Sequence, residues 1–202
     1  VEAVITIVAH RYSPAITREL DGVPPLDLAV LHEKRDFDAL VPQTNGDQLW
    51  LVRFDGAQWS QPIAVTKPQA DVWRPSVAVA GDGTVWVVWS EKSGGNWDLF
   101  ARGYSPSTSK WTGFKRLTDA PGCDINAVAV SNPKDGSVRA VWQGWREDNF
   151  DILVTNLTRT AAAPEKRVYQ NPANQWWPAA VCDSKGTLYV AFDTYERDNY
   201  DV

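Results

Sequence analysis

Methionine, cysteine and histidine are scarce in this sequence of 202 residues, which contains no Met, two Cys and two His. Two cysteines are too few for a disulfide-rich scaffold or an all-cysteine metal cluster. Two histidines leave little scope for a histidine-rich metal or acid–base site. No apolar run approaches the ~18 residues that a membrane-spanning helix requires. These absences predict a chain with no metal, no cofactor and no membrane insertion.

Basic residues are also in the minority. The chain has 20 Lys and Arg against 25 Asp and Glu, a net charge of −5, so no basic surface for nucleic acid is expected. The apolar share of 44% and the charged share of 22% are typical of a globular domain. Because the sequence has no initiator methionine, we expect a processed chain or a piece of a longer protein.

Tryptophan, by contrast, is abundant, with eleven residues, and it marks an internal repeat. The copies are residues 71–118, 124–170 and 174–202, with a weaker one at 26–66. They share a turn glycine and a large aromatic residue shortly after it: Gly83, Gly136 and Gly186, then Trp89, Trp142 and Phe192. A period of roughly 50 residues indicates a propeller or another repeat architecture.

Each copy has the pattern of four short strands. The first strand of the 71–118 copy ends at Gly81-Asp82-Gly83, a hairpin-turn signal. The second, residues 84–90, is apolar on both faces and must therefore be covered on both sides. No window has a sustained helical period. The sequence thus predicts an all-β propeller of four-stranded antiparallel blades, with a parallel β-helix as the alternative.

The two ends of the chain resemble half blades. Residues 7–14 match residues 99–106, so residues 1–24 are predicted to form the third and fourth strands of a blade, and the 174–202 copy stops inside its third strand. About four blade-equivalents are therefore present. They can close as a small four-bladed ring or form an incomplete part of a larger ring. We favour the incomplete ring, in which another chain or domain covers the open edge.

The repeat resembles that of TolB-type propellers, which are related to the propellers of the tricorn protease and the prolyl oligopeptidases. The matching residues are Asp71, Pro75, Asp82-Gly83, Gly95-Asn96-Trp97-Asp98 and Leu117-Thr118. The chain departs from that pattern at Val128 and Lys185. The resemblance implies a propeller fold and an extracytoplasmic, periplasmic or secreted location. In the oligopeptidase relatives the catalytic residues lie in a separate domain.

Positions that recur in every copy are expected to be architectural. Asp98, Asp151 and Asp201 each follow an Asn-aromatic pair, and we expect them to accept backbone hydrogen bonds at the start of the third strand. Positions that differ between copies are better candidates for a ligand site. The candidates, which we expect on one face of the propeller, are Trp73, Trp145, Arg146, Trp176, Trp177, Tyr195 and Arg197.

Indole rings flanked by arginine and carboxylate suit a sugar ring, and Trp, Tyr and Arg also dominate the binding energy of protein interfaces. The sequence has no G-x-S-x-G, no phosphate-binding loop and no H-E-x-x-H motif. It therefore predicts no catalytic residue and favours a non-enzymatic propeller module that binds a protein partner or another ligand. The alternatives are a carbohydrate-binding, lectin-like propeller and the propeller domain of a larger hydrolase that gates or presents substrate.

Overall fold

A computed structural model describes residues 3–9, 47–157, 163–196 and 199–201, with the backbone alone described for residues 3–9, 195–196 and 199–201. These ranges contain fifteen strands and no helix. The strands are β1 (Ala3–Ala9), β2 (Gln48–Phe54), β3 (Ile63–Ala64), β4 (Val72–Val79), β5 (Val85–Ser93), β6 (Asn96–Ser105), β7 (Lys110–Trp111), β8 (Lys115–Arg116), β9 (Asp124–Ser131), β10 (Val138–Arg146), β11 (Asn149–Leu157), β12 (Lys166–Arg167), β13 (Asn174–Cys182), β14 (Leu188–Glu196) and β15 (Asn199–Asp201).

The strands form four antiparallel sheets that follow one another along the chain. Their orders are β1-β2-β3, β4-β5-β6-β7 with β8 also paired to β6, β9-β10-β11-β12, and β13-β14-β15. The chain divides into two compact units, residues 1–72 and residues 73–202. None of the described residues belongs to a helix long and apolar enough to cross a bilayer.

The first unit contains the sheet β1-β2-β3. Along its length β1 pairs with β2, from Ala3 opposite Phe54 to Ala9 opposite Gln48. The alignment placed the start of the chain in a separate half blade, whereas β1 holds the place beside β2 that β5 holds beside β6. The position of β1 is decided by its hydrogen bonds to β2. Sequence similarity alone does not decide it, because short strands with alternating apolar residues can be aligned with one another in several registers. Residues 10–46, which include most of the predicted first copy, lie outside the described ranges.

The second unit consists of sheets that pack face to face. Strand β9 lies against β5 and β6, and β13 lies against β9, β10 and β11. Side chains of two neighbouring sheets build one buried apolar cluster around Trp86 and Trp142. The three sheets of this unit have five, four and three described strands. Successive antiparallel sheets of about four strands that pack in this way are propeller blades, so the predicted all-β propeller class is confirmed. The predicted blade boundaries stay predictions.

The hairpins between the first and second strands of these sheets close on the repeated glycines. Gly83, Gly136 and Gly186 have φ of 80°, 71° and 82°, values that glycine adopts without strain. The turns also touch, since Gly81 N–H donates to Gly136 O at 2.9 Å. A Cβ at position 81 would lie 2.7 Å from the Gly136 Cα. The glycine at 81 is thus required by the close approach of two sheets.

The recurring aspartates are architectural, but their partners are not those expected. Asp98 Oδ2 accepts from Arg116 Nη2 at 2.7 Å, and Asp151 Oδ2 accepts from Arg167 Nε at 2.7 Å. Arg116 lies in β8 and Arg167 in β12, two short strands that pair with the strand of the aspartate, and neither aspartate accepts a hydrogen bond from the backbone of a described residue. The expectation of backbone hydrogen bonds is wrong for these two residues, because a buried carboxylate is better satisfied by a charged donor. The side chain of Asp201 is not described.

Candidate functional site

The first strand of each sheet in the second unit contains one non-glycine residue with a left-handed backbone. These residues are Arg74, Asn126 and Trp177, with φ of 43°, 59° and 51°. Asn126 and Trp177 lie where the pairing with the next strand shifts its register. The shift at Asn126 falls between Val141 and Gln143 of the partner strand β10, and the shift at Trp177 falls between Trp176 and Ala179 of β13 itself. Such β-bulges bend a strand and re-aim a side chain. The backbone feature is shared by the three sheets, whereas the side chain on it differs in each.

The side chains of these three residues and of two neighbours meet in what we call the Trp–Arg cluster, formed by Trp73, Arg74, Asn126, Gln143 and Trp177. The Arg74 Cζ lies 3.9 Å from the ring centroid of Trp177 and 5.8 Å from that of Trp73. Trp73 Nε1–H donates to Asn126 Oδ1 at 3.2 Å, and Asn126 Nδ2–H donates to Gln143 Oε1 at 2.9 Å. The backbone N–H of Trp177 also donates to Gln143 Oε1, at 3.4 Å. Residues from three successive sheets are therefore connected.

Burial divides the cluster into a polar base and an aromatic rim. Asn126 and Gln143 are 7% and 1% exposed, whereas Trp73 and Trp177 are 43% and 48% exposed. The buried amides therefore hold the Trp73 indole through its N–H and hold the backbone of Trp177, and Arg74 lies against the Trp177 ring. Two half-exposed indoles around one guanidinium can bind an apolar ring face and a polar or anionic group at the same time.

Arg74 is the charged member of the cluster. Among the described residues it has no hydrogen-bond acceptor and no carboxylate partner, and its contacts are the cation–π contacts with Trp73 and Trp177. Partial burial lowers the pKa of Arg74 from its ordinary value, but an arginine remains protonated throughout the physiological range. The cluster therefore presents a positive charge that the described part of the chain does not neutralise.

Two of the predicted site residues, Trp73 and Trp177, lie in the cluster, and Trp145 and Trp176 do not. Trp145 packs edge-on against Phe150 with centroids 5.0 Å apart, and Phe150 packs against Trp176 at 4.7 Å. The backbone N–H of Trp145 is bound by Cys123 O at 2.9 Å. These three rings form an aromatic row of their own, and the placement of all these residues on one face of the propeller stays a prediction.

Arg146 is part of an ion-pair network. It binds Glu165 through Nε and Nη2 at 2.8 and 2.7 Å, and its Nη2 lies 3.0 Å from Asp124 Oδ1. Burial lowers the pKa of Arg146, but the hydrogen bond to Glu165 and the charge of Asp124 more than offset this and raise it. Since its donors are occupied by two carboxylates, Arg146 acts in the structure rather than as a free ligand contact.

The remaining predicted site residues are Tyr195 and Arg197. Tyr195 lies in β14 with its backbone opposite Asn174 and Tyr200, and its side chain is not described. Arg197 lies outside the described residues. The structure therefore does not test either residue as a ligand contact.

Sequence reasoning missed Arg74, Asn126 and Gln143. The rule that site residues differ between copies applies to the three positions with a left-handed backbone, which hold Arg, Asn and Trp. The alignment obscured this, because Asn126 follows Asp124 by two residues while Arg74 follows Asp71 by three. Among the described residues, no group of three or more His, Cys, Asp or Glu is placed to bind a metal ion.

Comparison with known proteins identifies no relative by sequence, since no family profile and no curated protein match the chain. Among solved structures, a mutant of a GH43 protein from Bacillus licheniformis superposes with a TM-score of 0.45 and 12% identity over 77% of this chain. A structure from a study of two prolyl endopeptidases superposes with a TM-score of 0.40 and 13% identity over 78% of this chain. The chain covers 32% and 28% of those two proteins. At these levels neither likeness assigns an activity or a ligand to this chain.

Proposed function

We propose that this chain is a non-catalytic propeller module that binds its ligand at the Trp–Arg cluster. The observation that carries the proposal is the combination of two half-exposed indoles with an arginine that has no acceptor among the described residues. Exposed apolar patches on soluble proteins often mark interaction sites. The buried amide of Asn126 orients the Trp73 indole, and preorganisation of this kind lowers the entropic cost of binding.

Backbone strain supports the same proposal. A left-handed conformation at a non-glycine residue costs about 1–3 kcal/mol and is found preferentially at ligand-binding sites. Of the seven such residues in the described part of the chain, three belong to this cluster. The left-handed position recurs in three sheets and is architectural, whereas its side chain is Arg, Asn or Trp. These side chains are the part of the repeat that is free to serve binding.

The experiment is a binding screen of the purified chain on an oligosaccharide array and a displayed peptide library, repeated with two variants. We expect a ligand that is lost in Trp177→Ala and retained in Trp145→Ala. Trp145 is a matched control because it is also exposed, at 38%, and lies outside the cluster. Equal loss of binding in both variants, or no ligand for the native chain, would contradict the proposal. Thermal melting of each variant confirms that it is folded.

The extracytoplasmic location and the completion of the ring by another chain or domain belong to the same proposal. The outer face of β13 and β14 supports the second of these. Val181 and Tyr189, which lie opposite each other there, are 60% and 56% exposed. Val130 has the place of Val181 in the preceding sheet and is 6% exposed. A further blade-type sheet would cover this face as the β13 sheet covers its neighbour.

A further inference from the structure

Three arginines of the second unit form ion pairs with carboxylates of described residues, and Arg74 differs from them. Arg116, Arg146 and Arg167 each contact one or two carboxylates at 2.7 to 3.0 Å. Arg74 has none among the described residues, although the chain as a whole carries an excess of acidic groups. In a chain rich in carboxylates, a cation left without one is available to a carboxylate from outside.

The guanidinium is also oriented by its surroundings. Its position 3.9 Å from the Trp177 centroid occupies one face of the indole, and cation–π contact of this kind does not consume the N–H donors. The five donors of an arginine lie in one plane in a fork that matches a carboxylate. With no acceptor among the described residues, these donors can bind both oxygens of one carboxylate.

The geometry of the strands around the cluster argues against an extended peptide as the ligand that supplies this carboxylate. β4, β9 and β13 are each the outermost strand of their sheet, and an edge strand can accept a peptide as an added strand. However, the register shifts of β9 and β13 fall at Asn126 and Trp177 themselves. Bulges interrupt the row of backbone groups on which strand addition depends. A ligand held through its ring faces and substituents fits this surface better.

We infer that the Trp–Arg cluster binds an acidic saccharide and recognises a hexuronic acid unit of it, an inference that rests on the function proposed above. The carboxylate of the sugar accepts from Arg74, and the apolar C–H face of the ring stacks on the exposed Trp73 indole. Trp73 is held for this contact by its hydrogen bond to Asn126. The inference concerns binding alone and requires no chemical step.

The test is calorimetric titration of the native chain with oligogalacturonate, oligoglucuronate and oligomannuronate, and with the carboxyl-reduced form of each. The reduced form differs only in the charged group, so it needs no change to the protein. We expect at least one acidic oligomer to bind about tenfold or more tightly than its reduced form, because a charge-assisted hydrogen bond contributes at least that factor. We expect Arg74→Gln to abolish this preference and Arg74→Lys to retain part of it.

Equal affinity for acidic and reduced oligomers, or an unchanged preference in Arg74→Gln, would overturn the inference. So would failure of all three acidic oligomers to bind. The proposed function is judged separately. If neutral sugars or peptides bind and require Trp177 but not Arg74, the proposed function is supported and the inference of an acidic saccharide is wrong. Trp145→Ala serves as the control that should leave every affinity unchanged. Native-like melting of Arg74→Gln shows that a lost preference does not come from unfolding.

Discussion

The indole Nε1–H of Trp142 donates a hydrogen bond of 2.8 Å to the Oδ1 of Asp124, and both side chains are fully buried. The bond joins the beginning of β9 to the middle of β10. The absence of a side chain at Gly144 makes room for it, since a Cβ there would lie 2.5 Å from the same carboxylate oxygen. Arg146 approaches this oxygen at 3.0 Å, so one buried carboxylate organises the hairpin that ends beside the Trp–Arg cluster.

Asp124 should make stability depend on pH. Burial raises the pKa of Asp124, and the charge of Arg146 and the hydrogen bond from Trp142 offset this only in part. The folded state therefore holds the proton more tightly than the unfolded state, and stability falls as the pH rises from about 4 through the folded pKa. Relative to Asp124→Asn, the native chain should lose free energy of unfolding over this range, as measured by urea denaturation at a series of pH values.

Asp135 serves as a control for that experiment, because its effect on the pH dependence of stability should have the opposite sign. Hydrogen bonds from the Ser137 side chain and backbone lower the pKa of this exposed aspartate. Stability should therefore rise with pH in the native chain relative to Asp135→Asn, as the carboxylate ionises. The same sign of pH dependence in both comparisons would contradict the assignment.

Thr118 is expected to stabilise the third strand through its hydroxyl group. Thr118 Oγ1 accepts from the backbone N–H of Leu99 at 2.9 Å, and both residues are buried. Thr118→Val keeps the shape but leaves that N–H without an acceptor, which should cost about 1–3 kcal/mol of unfolding free energy. Thr118→Ser retains the oxygen and should cost less. A loss in Thr118→Ser as large as that in Thr118→Val would show that the methyl group contributes as much as the hydroxyl, which would contradict the prediction.

Gly81 should not tolerate even alanine. The added methyl would approach the Gly136 backbone at 2.7 Å, and neither turn can retreat without breaking the hydrogen bond between them. Overpacking of this kind costs about 1–3 kcal/mol. At Gly113 an added Cβ meets nothing within 4 Å, so Gly113→Ala should melt close to the native chain. Thermal denaturation of both variants decides the comparison, and a stable Gly81→Ala would refute the close approach.

Val130 and Val181 hold equivalent places in neighbouring sheets but differ in exposure, at 6% and 60%. Threonine has nearly the size of valine and adds a hydroxyl. Burying that hydroxyl at position 130 without a partner should cost about 1–3 kcal/mol, whereas Val181→Thr should change the unfolding free energy of this chain by less than about 0.5 kcal/mol. A large loss at 181, measured by chemical denaturation, would mean that this face is covered.

The strands and their turns followed from local pattern. The glycines at 83, 136 and 186 predicted the hairpins, and each has the positive φ that such a turn requires. Leu99 and Ile152, which share a place in the repeat, both accept through their backbone oxygens from the residue that follows the last short strand of their sheet, at 2.7 and 2.8 Å. Local signals succeed here because alternation and turn geometry are decided by neighbours in the chain.

Partners distant in sequence did not follow from that pattern. Asp98 recurs visibly, yet its ion pair with Arg116 depends on the placement of a two-residue strand after an irregular stretch. The position of β1 beside β2 was likewise hidden, since several strands share one alternating pattern. Trp176 and Trp177 are adjacent in the chain but belong to different groups of rings, because the bulge between Trp176 and Ala179 changes the direction of the side chains.

The sequence by itself determined the repeat, the all-β class and the excess of aromatic side chains at positions that vary between copies. These properties depend on spacing and composition, which can be read from the sequence without knowledge of the fold. The tertiary structure alone decided that Arg74, Asn126 and Gln143 join Trp73 and Trp177, and that Arg146 is occupied by Asp124 and Glu165. Bulges one residue long and sheet packing control those distances, and an alignment of repeats cannot represent either.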